Sequence, residues 1–226
     1  MPEDASRRKV AVWDPAQRLF HWALVALIAF SWWTAEQDIE WMDLHKLSGE
    51  VVLALIGFRI LWGFVGPPHA RFVDFLYGPR AVAADFRNLV RGRGPEHAGH
   101  GPIGGWLVVV LLVLVAAQAG SGLFSSDDIF VSGPLAHTVS GETEALLNKA
   151  HDVVFEILLW VAGLHIAAVV LVYPLWTRTD LVRPMITGRR SLPDAEGEPT
   201  RFSWWVGVRA LVGLAVSGGA VYWLVN

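Results

Sequence analysis

Leu146–Tyr173 reads LLNKAHDVVFEILLWVAGLHIAAVVLVY. As an α-helix it is longer than the roughly 20 apolar residues that a bilayer core requires. It carries two histidines, His151 and His165, fourteen residues apart. That interval rises about 21 Å and turns just under four full turns. Both rings therefore leave nearly the same face, at two depths, an arrangement suited to two stacked metal centres. The remaining question is whether the chain supplies two further histidines at matching depths.

The surrounding composition fits a membrane protein. The chain has 226 residues, 54% hydrophobic and 17% charged, against about a quarter charged in soluble domains. Its charges crowd between apolar runs. Many of the 12 Trp residues sit at the ends of those runs, as interfacial belts do. With no cysteine, disulfides, iron–sulfur ligation, thiolate zinc sites and covalent c-type haem are excluded. The N-terminal MPEDASRRKVAVWDP lacks the pattern of a cleaved signal, so the first apolar run is expected to be retained.

Taken in order, Asp14-Pro15 predicts a helix start, with Asp as N-cap and Pro in the first turn. The periodicity predicts helices over about 17–35, 44–65, 103–124 and 146–173 within a domain spanning 1–190. A linker and a fifth apolar helix follow in 191–226, with Arg209 early in that helix. Gly66-Pro67-Pro68 stops the second helix. Between them, PRAVAADFRNLVRG (79–92) spaces Val82, Phe86, Leu89 and Val90 as one apolar stripe among arginines. It reads equally as a helix lying on the membrane surface or as a solvated loop helix. The expected fold is all-α: an integral-membrane, up-and-down four-helix bundle with an additional C-terminal transmembrane helix. The N-terminal arm and the 69–100 and 177–201 connections are basic, while 36–43 and 127–149 are mostly acidic. By the positive-inside rule this predicts a multi-pass protein with a cytoplasmic N-terminus.

That topology sorts the histidines by depth. His21 falls at the inner end of the first helix and His45 at the outer end of the second. His45 then pairs with His151, and His21 with His165. Ionisable rings at membrane depth are costly and usually functional. Two imidazoles without Cys or carboxylate suit bis-imidazole haem b better than zinc, which takes three or four protein ligands. The expected cofactors are thus two haems b. Gly49, Gly57, Gly120, Gly122 and Gly163 offer room for a porphyrin, or equally for close helix packing. Arg18 and Arg59 are candidate partners of inner-haem propionates. Arg18 reads at least as well as an interfacial charge, and Arg59 alternatively as a snorkelling one. Lys46 and Lys149 are candidates at the outer haem. His69, His97 and His100 lie in a connection where solvent exposure is the ordinary expectation, although His100 could line a quinone or proton site. His137, in an outer loop, is a less favoured alternative to His45.

Several segments together resemble a known family: VWDPAQRLFHW (12–22), MDLHKLSGEVVLALIGFRILWGFVG (42–66), HARFVDFLYGPRAV (69–82), HGPIGG (100–105) and the H-x13-H helix. The pattern is similar to the bacterial cytochrome b561 family, which is related to the cytochrome b subunits of membrane-bound nickel–iron hydrogenases. The resemblance implies a four-helix bundle with two b haems on His21, His45, His151 and His165. It also implies quinone-linked electron transfer in the bacterial inner membrane, with a periplasmic cytochrome c or other redox subunit as partner. Membrane lipid is a further expected partner, and nucleic acid is not. Two other functions compete. One is a self-contained quinone oxidoreductase, such as a superoxide-to-quinone enzyme, against which the acidic outer loops argue. The other is a haem-free membrane anchor or transporter.

Overall fold

The computed structural model describes residues 7–94, 97–126, 130–193 and 203–226. Their order is β1 (Arg7–Ala11), α1 (Pro15–Ala35), α2 (Met42–Val65), the short α3 (Phe72–Phe75), α4 (Pro79–Val90), α5 (Pro102–Gly122) and α6 (Gly141–Ala167). A π-helical turn, Ala168–Val172, leads into α7 (Tyr173–Trp176), followed by α8 (Val182–Thr187), β2 (Arg189–Pro193) and α9 (Trp204–Val225). Among the described residues four segments are long and apolar enough to cross a membrane: Ile39–Val65, Pro102–Gly122, Gly141–Thr177 and Trp204–Val225. Helix α1 has 21 residues and carries Gln17, Arg18 and His21 near its start and Ser31 and Thr34 near its end. The fold is an all-α membrane helical bundle, and its C-terminal apolar helix is one of the four long spans.

Local chemistry explains the helix ends. The Asp14 carboxylate accepts from the Gln17 backbone N–H at 3.0 Å, so Asp14 caps α1 as the Asp-Pro pair predicts. Helix α6 begins five residues earlier than its apolar run, at Gly141. Ser140 accepts from the Thr143 N–H, and Glu142 and Glu144 lie in the first turn, where the helix dipole favours anions. The same helix widens at Ala168–Val172, just before Pro174. Proline has no N–H and its ring crowds the preceding carbonyls, and a π turn relieves that crowding.

The residues form two compact units. The first comprises Met1–Leu19, Trp62–Val109 and Gly163–Ala210; the second comprises Phe20–Leu61, Val110–Ala162 and Leu211–Asn226. In the first, β1 and β2 pair antiparallel, from Arg7 opposite Pro193 to Ala11 opposite Arg189. Gly188, at φ 78°, lets the chain turn from α8 into β2, in a backbone region that side chains disfavour. Arg209 of α9 donates to the Val65 carbonyl at 3.1 Å. It thus satisfies an otherwise orphaned group at the end of α2, which accounts for a charge early in an apolar helix.

In the second unit, Val52, Ile56, Val115 and Leu158 form the buried core, with Leu24, Leu27 and Ile28 of α1 packed against it. Helix α9 approaches α2 where both are small. A Cβ added to Gly57 would lie 3.1 Å from the Ser217 Cβ. Small residues permit such close approach where apolar surfaces gain little from meeting in lipid.

Candidate functional site

Within the second unit, His45 and His151 face one another. Their ring centroids are 6.3 Å apart and their planes stand at 81°. His45 is in the first turn of α2. Its Nδ1–H donates to the Ser31 carbonyl of α1 at 2.8 Å. Ser48 reinforces that corner: its hydroxyl donates to the His45 carbonyl at 2.8 Å and shares a hydrogen bond with the Ser31 hydroxyl. His151, on α6, donates its Nδ1–H to the Gln118 carbonyl of α5 at 3.0 Å, with the Ser121 hydroxyl 3.2 Å away.

Because a carbonyl only accepts, each Nδ1 carries the proton and each Nε2 presents a lone pair. This is the usual second shell of a metal-bound histidine, which fixes the tautomer and aims the other nitrogen. By length alone the separation matches two imidazoles on one ion: two metal–imidazole bonds of about 2.0–2.1 Å, with each ring centroid about 1 Å behind its nitrogen, sum to about 6 Å. In this structure the Gln118 side-chain amide donates to the His151 Nε2 at 3.0 Å; it marks the direction in which that lone pair points.

The glycines show where the backbone makes room. A Cβ at Gly122 would lie 2.9 Å from the His151 Cε1, so the imidazole lies against bare α5 backbone. At Gly49, one turn beyond His45, a Cβ would meet nothing within 4 Å, and the same is true of Gly120 and Gly163. Among the described residues no three His, Cys, Asp or Glu side chains gather to hold a metal. The donor set here is two imidazoles, His45 and His151, which would suit a b-type haem.

The other candidates are distributed as follows. His21 is half-buried on α1 in the second unit, edge-on to Trp22. His165 is half-buried near the end of α6 in the first unit. Arg59 is fully buried, at 0% exposure, and does not snorkel to solvent. Arg18 donates a guanidinium N–H to the Ile186 carbonyl at the end of α8. Lys46 pairs with Asp43 at 2.9 Å, and Lys149 and His137 are exposed.

Three histidines differ from the solvent-exposed expectation. His69, His97 and His100 of the first unit are half-buried and, with Asp74 and Tyr77, line a cavity of about 250 Å³. The backbone turn after Pro67-Pro68 and the aromatic neighbours draw them in. The His100 ring packs against Trp13 and Phe75, at centroid distances of 4.5 and 5.0 Å. Tyr77 lies 3.3 Å from the His97 Nδ1. His69 has φ 72°, an uncommon backbone for a non-glycine residue. Burial lowers the His69 pKa, and the nearby Asp74 carboxylate opposes that shift. Arg190 donates to the His97 carbonyl at 2.7 Å, and burial lowers its pKa.

Sequence reasoning missed Gln118, Ser121, Ser31 and Ser48. Two of them act through backbone carbonyls, which carry no residue signal. Gln118 had one: it is an amide within a charge-free apolar run.

The model of the prokaryotic cytochrome b561 family matches residues 12–188. No curated protein and no solved structure gave a match. The matched stretch contains His21, His45, His151 and His165 and the whole of the His45–His151 site. The chain belongs to the prokaryotic cytochrome b561 family, which points to b-type haem binding and electron transfer across a membrane.

Proposed function

We propose that this protein is a di-haem b-type cytochrome of the bacterial inner membrane, passing electrons between the quinone pool and a periplasmic redox partner. The observation that carries the proposal is the opposed pair His45 and His151, each with its Nδ1–H tied to a neighbouring helix, which leaves Nε2 as the lone-pair nitrogen; on His151 that lone pair accepts from the Gln118 amide, which a metal would displace. These two residues would hold the outer haem. His21 and His165 would hold the inner one, on the strength of the fourteen-residue spacing along α6. A haem iron ligated in this way supplies one-electron redox chemistry.

The chain's own residues supply the rest. The carbonyls of Ser31 and Gln118 orient the two rings and raise their basicity. The Val52, Ile56, Val115 and Leu158 core keeps water from the second unit's interior. Gly49 and Gly122 leave the backbone bare beside the ligands. Arg59 is a buried cation, a feature that is costly and functional within membranes, and we assign it to a haem propionate. Arg18 would share its guanidinium between a propionate and the Ile186 carbonyl. In the first unit, the cavity beside His100 and Tyr77 offers the donors that a quinone carbonyl accepts.

The orientation rests on charge. The N-terminal arm and the 69–100 and 177–201 connections are basic, and the 36–43 and 127–149 connections are mostly acidic. This supports the alternation that puts the N-terminus in the cytoplasm. The acidic side would attract a basic cytochrome c or a similar subunit.

The test is a haem count on the purified protein by pyridine haemochrome, followed by mixing with a short-chain quinol. Two haems b per chain, reduced by the quinol, is the expected result. One haem or none contradicts the paired ligation, and two haems that quinol leaves oxidised contradict the quinone assignment alone.

A further inference from the structure

Helix α4 (Pro79–Val90) faces outward in a way that water does not explain. Pro79, Ala83, Phe86 and Val90 share one stripe, and Arg80, Arg87 and Arg91 form the stripe beside it. Both stripes are exposed, with Phe86 and Val90 each at 58%. The flank on the other side of Phe86, away from the arginines, carries Val82, Asp85 and Leu89 and is half-buried. A solvated helix turns its acid outward and its aromatic inward. Here the order is reversed. Asp85 is the residue drawn in, where it accepts from the Ile103 N–H at 3.1 Å, at the start of α5.

The docking of α4 also fixes its level relative to the apolar spans. The Trp176 indole donates to the Leu89 carbonyl at 2.9 Å, and the Trp106 indole donates to the Tyr77 carbonyl, also at 2.9 Å. Trp106 lies near the beginning of the Pro102–Gly122 span and Trp176 at the last turn of the Gly141–Thr177 span. Tryptophan rings favour the boundary between hydrocarbon and water. Two of them hold α4 at the edge of the spans, within one compact unit.

We propose that α4 is a membrane-surface helix that binds anionic phospholipid. Phe86 and Val90 enter the boundary between headgroups and acyl chains, and Arg80, Arg87 and Arg91 meet the phosphates. Charge complementarity selects this occupant: among the described residues neither ion pair uses these arginines. A lipid phosphate also matches the geometry of a guanidinium fork. The pattern is that of an interfacial helix, apolar on one stripe and basic beside it.

The test uses the full-length protein in nanodiscs of phosphatidylcholine with or without phosphatidylglycerol. Native mass spectrometry should show phosphatidylglycerol retained over phosphatidylcholine. Retention should fall about tenfold or more in Arg80→Gln/Arg87→Gln/Arg91→Gln, from the attraction of each near-surface charge. Equal retention by both proteins overturns the proposal. Independently of that variant, the chain's lack of cysteine allows single spin labels at Phe86→Cys and Val90→Cys. Collisions with oxygen should exceed those with a water-soluble nickel chelate. Labels open to the chelate, or shielded from both probes by a second copy or another subunit, contradict it.

Discussion

The two histidines of α6 sit in unlike surroundings. His151 is held on three sides: the Gln118 carbonyl binds its Nδ1, the Ser121 hydroxyl lies 3.2 Å from the same nitrogen, and Gly122 lets the ring rest on backbone. His165 lies fourteen residues on, three residues before the helix widens at Ala168–Val172. Among the described residues no hydrogen bond restrains its ring. The same helix thus carries one imidazole oriented by protein and one without such restraint; under the proposed ligation, a metal would set the orientation of the second. Pre-orientation by a second shell strengthens and directs a ligand, so the outer site should form first and hold more firmly. π turns recur at functional sites, and this one gives the helix around His165 room to adjust.

The largest effect expected from this contrast is at Gly122. A Cβ there would sit 2.9 Å from the His151 ring, and Gly122→Leu would push the imidazole off its line. Haem content should fall from two per chain to one, with the remaining haem spectrally unchanged. Gly49→Leu should come next. Its Cβ meets nothing within 4 Å of the protein itself, so the apoprotein should tolerate it while the outer haem is lost or displaced. Normal haem content in Gly49→Leu would mean that the porphyrin lies elsewhere.

A smaller change is expected at Ser48, which is 4% exposed and ties Ser31 to His45. Ser48→Ala removes two hydrogen bonds and should cost about 1–2 kcal/mol in resistance to denaturant. It should also weaken retention of the outer haem more than that of the inner one. The smallest effect belongs to the first unit. His69 has its pKa lowered by burial, from an ordinary value of 6.5. The folded state therefore disfavours the proton relative to the unfolded chain. Stability linked to this ring is present above pH 6.5 and declines as pH falls below it, through the lowered folded value. His69→Asn accepts the same backbone and should flatten that part of the melting-temperature profile against pH.

Much of this architecture was legible in the sequence because it depends on periodicity and composition. The apolar runs, the Asp14-Pro15 start and the Gly66-Pro67-Pro68 stop all appear where their chemistry predicts. The facing of His45 and His151 was legible too, since each follows a mostly acidic connection near the start of an apolar run. The second shell was not. Ser31 and Gln118 bind through carbonyl oxygens that every residue possesses, so only the packing of three helices brings them to the rings. The gathering of His69, His97 and His100 was equally hidden, because connections lack the periodicity that places a side chain. Arg209, early in the apolar α9, has its partner in the Val65 carbonyl, which no residue pattern marks.

In the proposed cytochrome, four histidines on three helices hold two haems, paired across the sequence as His45 with His151 and His21 with His165. Reduced-minus-oxidised spectra and haem counts on His45→Ala, His151→Ala, His21→Ala and His165→Ala test this pairing most directly. The first two variants should lose one and the same haem, and the last two should lose the other. Loss of different haems from His45→Ala and His151→Ala, or retention of both haems by either variant, would contradict it.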